Sequence, residues 1–253
     1  MRLILHPNFV QFQSEVTHFI EDFASEGVLF GDGNRNKIKL FQLNGETINI
    51  KSFKVPNVIN QVAYKFFRKS KARRSYEFAN RLIEYGIGTP QPIAFSESFS
   101  LIGLQKSFYI SEHLQADLTY RELVEIPTYP DHENILRQFV QFSFRLHEKG
   151  IEFLDHSPGN TLIKKTGEGK YSFYLVDLNR MNFQVEMDLE RRMKNLSRLT
   201  PKMEMIAIMS DEYAKLYGRS YEVVYEKMRF YTEEFQEKYR RKRRLKSQFQ
   251  FWK

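Results

Sequence analysis

The spacing of apolar residues changes twice along the chain. Phe9, Phe12, Val16, Phe19 and Phe23 recur three and four apart after Pro7, which predicts an amphipathic opening helix. From Glu26 the period shortens to two. Glu26 to Phe30, Lys37 to Leu43 and Thr47 to Phe53 read as three antiparallel strands. The turns between them fall at Gly31-Asp32-Gly33-Asn34 and at Asn44-Gly45, the second a strong hairpin signal. A helix carrying Tyr76, Glu77, Leu82 and Ile83 closes at Gly86 and Pro90. Ile93-Ala94-Phe95 and Phe108-Tyr109-Ile110-Ser111 then complete a five-stranded sheet. Helical periodicity dominates afterwards: Asp131 caps a helix whose Ile135, Phe139, Phe142 and Leu146 lie on one face, with Gly150 as its stop. Leu162-Ile163 and Tyr171 to Val176 predict a hairpin turning at Thr166-Gly167-Glu168-Gly169. Met203, Met205 and Met209 read as core filler, and Tyr213, Tyr217 and Tyr221 as a packing stripe.

Composition narrows this α+β picture. A chain of 253 residues buries a substantial core, as one large domain or two lobes, here 1–114 and 115–253. Cysteine is absent, which removes disulfides and thiolate metal sites and fits a cytoplasmic setting. The apolar stretch at Met1 to Leu5 is too short for a signal peptide, and no apolar run is long enough to span a bilayer. A net charge of +8 favours polyanionic partners. The charge gathers in Lys65 to Arg74, around Phe66-Phe67, and in Lys238 to Lys246, ahead of Phe249, Phe251 and Trp252. Basic residues beside aromatics suit peripheral contact with an anionic headgroup interface as well as a solvated helix face, and no specific nucleic acid is expected.

Candidate chemistry sits in Phe153-Leu154-Asp155-His156-Ser157-Pro158-Gly159-Asn160 and in Leu175-Val176-Asp177. Phosphoryl transfer needs hard oxygen ligands for Mg²⁺ and a carboxylate beside the attacking oxygen. Asp155 would be that carboxylate, and Asn160 and Asp177 would hold the metal; a capping Asp and a loop Asn on an ordinary hairpin is the plain alternative. Lys51, on Ile48-Asn49-Ile50-Lys51, would contact the phosphates of ATP, held by Glu77, with Lys54 and Glu84 in reserve. Gly31 and Gly33 would let backbone amides approach the phosphates. Glu112-His113-Leu114 reads as a hinge whose Glu112 carbonyl and Leu114 amide hold adenine. His147 is expected to be a structural hydrogen-bonder and His156 an exposed loop histidine. Arg180, Arg191 and Arg192 would face an anionic acceptor or form a solvated face.

Together, Ile48 to Lys51, Glu77, Ser111 to Leu114, Asp155 to Asn160 and Asp177 look like the protein-kinase-like fold. Lys69 to Glu77 and Leu146-His147-Glu148-Lys149-Gly150-Ile151, with Asp155-x-Ser157-Pro158-Gly159-Asn160, resemble the bacterial lipopolysaccharide kinase family. The resemblance implies a bilobal fold, ATP with Mg²⁺, and transfer to a hydroxyl of Kdo or heptose in the lipopolysaccharide core, a membrane-held glycolipid. The sequence departs from protein kinases at Phe153, where most have histidine and a hydrogen bond that steadies the loop. It departs again at Asn49, Ser157 and Asp177-Leu178-Asn179. No Ala-Pro-Glu triplet follows Asp177, which favours a glycan acceptor over a peptide. The rival readings are a protein or aminoglycoside-type kinase and a pseudokinase that binds without turnover.

Overall fold

A computed structural model describes residues 1–31, 36–55, 57, 64, 68–101 and 103–250, the side chains of 246 and 248–250 excepted. Gly33 and its neighbours Asp32 and Asn34, Lys65, Phe66, Phe67, Phe251, Trp252 and the Phe249 side chain lie outside the described residues. The chain forms two compact units: Met1–Gln115 with Val176–Asn179, and Ala116–Leu175 with the chain from Arg180 onward.

The first unit is built on an antiparallel sheet. Its strands are β1 (Arg2–Leu5), β2 (Val28–Phe30), β3 (Asn36–Leu43), β4 (Glu46–Phe53), β5 (Pro92–Phe99) and β6 (Leu104–Glu112), in the order β1-β5-β6-β4-β3-β2. Six strands stand where the sequence predicts five. The extra one is β1, whose Arg2 to Leu5 pair with Glu97 to Ala94 of β5. Four residues are too few to display a period, yet alternation is present: Leu3 and Leu5 pack on the core while Ile4 is exposed. The hairpin at Asn44-Gly45 forms as predicted. Both residues have positive φ, 50° and 81°, as a tight two-residue turn requires, and Leu43 faces Glu46 across it.

One face of the sheet carries the opening helix. This begins as a 3₁₀ turn, Pro7–Phe12, and continues as α1 (Gln13–Glu21). Val16, Ile20 and Phe23 pack there against Phe41, Leu43, Ile48, Ile50, Ile93, Ala94, Phe108 and Ile110. Each Val, Leu, Ile or Phe side chain among them taken wholly from water stabilises by about 1.5–3 kcal/mol. Helix α2 (Lys71–Glu84) serves a second cluster, where Ala72 and Tyr76 meet Phe53, Phe95 and Tyr109. Ser70 caps it by accepting from the Arg73 amide, and Gly86 ends it at φ 66° with paired bonds from the amides of Gly86 and Ile87 to the carbonyls of Ile83 and Leu82.

The second unit contains β7 (Leu118–Thr119), α3 (Tyr120–Glu125), α4 (His132–Glu148), β8 (Glu152–Phe153), β9 (Thr161–Gly167), β10 (Lys170–Leu175), β11 (Met181–Asn182), α5 (Leu189–Leu196), α6 (Met203–Tyr217) and α7 (Tyr221–Gln250). Helix α4 is the core helix that the periodicity predicts, with Ile135, Phe139, Phe142 and Leu146 all buried. Its Gly150 stop is a paired cap, the Gly150 amide on the His147 carbonyl and the Ile151 amide on that of Leu146. Asp131 occupies the N-cap position but does not cap the backbone. Its carboxylate accepts instead from the Asn134 side chain at 2.8 Å. The β9–β10 hairpin pairs antiparallel and turns through Gly169 at φ 62°. Met205 and Met209 fill the core, whereas Met203 is exposed.

Candidate active site

In the first unit, the period of two along β4 decides where its lysine goes. Ile48 and Ile50 enter the core, so Asn49 and Lys51 take the opposite face. The Lys51 ammonium lies 2.6 Å from Asp177 Oδ1 and 5.4 Å over the Phe53 ring. Asp177 stands two residues past β10 at φ 59°, in the left-handed region that costs a non-glycine residue roughly 1–2 kcal/mol. Asn179 holds that turn. Its amide donates to the Asp177 carbonyl at 2.8 Å, its side-chain Nδ2 donates to Asp177 Oδ1, and its Oδ1 accepts from Ser75 Oγ of α2 at 3.3 Å.

Glu77 is not the partner of Lys51. It accepts from Lys69 at 2.7 Å and from Arg73 at 2.8 Å, and among the described residues no ion pair joins it to Lys51. Arg73 is four residues away on the same helical face, and Lys69 comes from just before the cap, so both reach Glu77 locally. Burial pushes the Glu77 carboxyl up, but the two cations outweigh it and leave the group below its ordinary range. Gly31 bends at φ 79° in open space, and the Leu114 amide makes no hydrogen bond among the described residues. Asn49 Nδ2 lies 3.5 Å from the Glu112 carbonyl, which places a polar side chain beside the oxygen expected to accept from adenine.

In the second unit, the loop bearing Asp155 is anchored on both sides. β8 pairs with β11, the Leu154 amide donates to the Arg180 carbonyl at 3.1 Å, and Pro158–Asn160 forms a 3₁₀ turn opened by proline. Asn160 Nδ2 donates to the Asp155 carbonyl at 2.8 Å, leaving its amide oxygen as the remaining acceptor. Asp155 Oδ1 receives Arg180 Nη1 at 3.2 Å and Arg198 Nη1 at 3.5 Å, and that Arg198 nitrogen also donates to the Leu154 carbonyl at 2.8 Å.

His156 is fully buried, against expectation, ringed by Phe139 and Phe153. Asn195 of α5 explains how. Its Nδ2 donates to the Phe153 carbonyl at 2.9 Å, so its Oδ1 must accept, from His147 Nε2 at 3.1 Å and His156 Nδ1 at 3.4 Å. Each ring therefore donates from that nitrogen. Burial drives the His147 pKa down to about 3 and that of His156 to about 4, against the opposing Asn195 bond in each case. His147 also bonds the Tyr213 hydroxyl at 2.8 Å, the structural role expected of it. The loop that lacks a histidine at Phe153 is thus steadied three residues later and from α5.

The sequence model of the lipopolysaccharide kinase (Kdo/WaaP) family matches residues 29–220, well over half of the chain. The chain belongs to that family. As a lipopolysaccharide kinase it is a phosphotransferase acting on a sugar hydroxyl, and membership implies ATP as donor. No curated protein matches it. Among solved structures, one described as WaaP in complex with acyl carrier protein is 17% identical and superposes with a TM-score of 0.64 over 94% of this chain and 98% of that one. At that identity the likeness shows the fold.

Two residues of this lipopolysaccharide kinase escaped the sequence reading: Asn195 and Arg198. Asn195 left a signal, because α5 buries it with Met193 and Leu196 in an otherwise basic segment, and a polar residue on a buried face demands partners. Arg191 and Arg192, expected near the acceptor, are committed elsewhere. Arg191 pairs with Glu152 at 2.7 Å, and the buried Arg192 with Glu148 at 2.6 Å and the Met187 carbonyl.

Proposed function

We propose that this kinase transfers the terminal phosphoryl of ATP to a hydroxyl of Kdo or heptose in the lipopolysaccharide inner core. In this reading the fold is bilobal and protein-kinase-like, with 1–114 as the nucleotide lobe and 115–253 as the catalytic lobe. Lys51 aligns the phosphates, the turn that begins at Gly31 covers them, and the Glu112 carbonyl and Leu114 amide take adenine. Glu77 anchors α2 through Lys69 and Arg73 and stands behind the phosphate site. Asp155 orients the acceptor hydroxyl and accepts its proton.

The observation that carries the reading is the 2.6 Å contact between Lys51 and Asp177, groups 126 residues apart in sequence. A strand-borne ammonium beside a carboxylate on a strained turn is the pair that nucleotide phosphates and a cation would share. In this reading Asp177 would offer Mg²⁺ a carboxylate and Asn160, whose Nδ2 is already bonded to the Asp155 carbonyl, an amide oxygen, both of the hard donor type that ion takes. When bound, the ion would neutralise charge on the phosphates.

No helix among the described residues is long and apolar enough to cross a membrane. Contact with the anionic inner-membrane surface is assigned instead to α7, where Arg240, Arg241, Lys242, Arg243 and Arg244 are all exposed. Purified protein with Mg-ATP and Kdo-lipid A should add one phosphate by mass spectrometry, and Asp155→Ala should abolish the gain. Transfer that survives the substitution refutes Asp155 as the base, and a protein that neither transfers phosphate nor gains thermal stability from Mg-ATP is a pseudokinase.

A further inference from the structure

The surroundings of Asp155 carry more positive charge than one carboxylate needs. Arg180 and Arg198 both address its Oδ1, and among the described residues neither has another acidic partner. Oδ2 has no side-chain donor within hydrogen-bond range among those residues. A third guanidinium, Arg121 of α3, is exposed, makes no ion pair among the described residues, and lies against Gly159, where an added Cβ would sit 2.7 Å from its Nη2. Three guanidinium groups and one carboxylate leave two positive charges uncompensated around the loop.

The two arginines that touch Asp155 are held differently. Arg198 is fixed, with Nη1 on the Leu154 carbonyl and its guanidinium 5.5 Å over the Phe235 ring. Arg180 is less constrained: its side chain is 59% exposed and among the described residues bonds only through Nη1. A guanidinium has five N–H donors, so one bond to Asp155 leaves the rest of its fork for a second anion. Oδ1 is thereby pinned, Oδ2 has no side-chain donor among the described residues and is left for a hydroxyl, and the exposed Arg180 guanidinium keeps unused N–H groups next to that carboxylate.

We infer that Arg180 and Arg198 are specificity-determining residues that read a negative charge on the acceptor sugar beside the hydroxyl to be phosphorylated. This rests on the assignment of Asp155 as the acceptor's base. The group recognised is a carboxylate, as on a sugar acid, or a phosphate ester already present on the sugar. A neutral sugar would leave the fork without its partner.

The test compares initial rates with Mg-ATP and four soluble acceptors: Kdo methyl glycoside, its carboxyl methyl ester, a heptose glycoside and a heptose glycoside phosphate. Wild-type protein should prefer at least one anionic acceptor over its neutral counterpart by about tenfold to a hundredfold in kcat/KM, the range of a hydrogen bond to a charged group. The preferred anion distinguishes carboxylate from phosphate. Arg180→Gln should reduce the preference to within about twofold by slowing the anionic acceptor far more than its neutral counterpart, with the KM for ATP unchanged, and Arg180→Lys should restore part of it. Arg180 is exposed, so the variant is expected to fold. Equal use of charged and neutral acceptors by the wild type overturns the inference while leaving the kinase reading intact. So does an Arg180→Gln variant that slows all four alike or raises the ATP KM, because the arginine would then serve the nucleotide. Transfer to none of the four, nor to Kdo-lipid A, removes the kinase reading itself.

Discussion

Among the described residues Lys51 has one anionic partner, Asp177, and the identity of that anion is a finding at the level of single side chains. The sequence supplied the lysine, the aspartate and the glutamate but not the pairing, because Glu77 is captured by two cations within eight positions of it. Lys51→Met should raise the KM for ATP by roughly tenfold to a hundredfold, whereas Glu77→Gln should change it by less than about threefold; steady-state kinetics separates the two. The buried histidines make a second prediction. His147 and His156 protonate near pH 6.5 in the unfolded chain but only at about 3 and about 4 in the folded one, so the unfolded chain binds more protons between those values. Their contribution to stability is complete above pH 6.5 and is lost as pH falls toward 4, at up to about 1.4 kcal/mol per pH unit for each ring. Urea midpoints should therefore be lower at pH 5 than at pH 7, and His156→Leu should flatten the slope. None of this could be read from a loop histidine alone, since its burial depends on Asn195, which lies 39 positions away.

Among the elements, those whose signals are local were legible. Asn44-Gly45 demands a turn with two positive φ values, and Gly150 ends α4 because left-handed backbone there closes both terminal carbonyl bonds. Gly150 has a further constraint that only the structure reveals: a Cβ would lie 3.0 Å from the Val185 carbonyl oxygen, whereas at Gly86 a Cβ meets open space. Gly86→Ala should cost only the left-handed backbone penalty of roughly 1–2 kcal/mol. Gly150→Ala should cost more, by about 1 kcal/mol or above, in parallel chemical denaturation. The strand at Arg2–Leu5 was missed for the opposite reason, since its pairing partner is more than eighty residues downstream and a four-residue run carries no readable period.

Over the whole molecule, the alternation of Ile48 and Ile50 with Asn49 and Lys51, the α4 stripe and the β9–β10 hairpin carried enough signal to expect an antiparallel sheet and a helical remainder. The positive charge also acts at this scale. With a net charge of +8 and five consecutive exposed cations from Arg240 to Arg244, the protein should sediment with vesicles rich in phosphatidylglycerol and stay in solution with neutral ones. Replacing Arg240, Arg241, Arg243 and Arg244 by Gln should weaken partitioning about a hundredfold or more at low ionic strength, at about 1 kcal/mol for each residue near the surface. Added salt should abolish the difference.

The pairing of Arg2–Leu5 with β5 also bears on how the sheet is closed off at that side. Those few residues cover one rim of an eight-residue strand that would otherwise offer its amides and carbonyls to any neighbouring molecule. Shaving them off would leave Lys51, Asp155 and Asp177 in place and give the protein a route to stacking rim to rim.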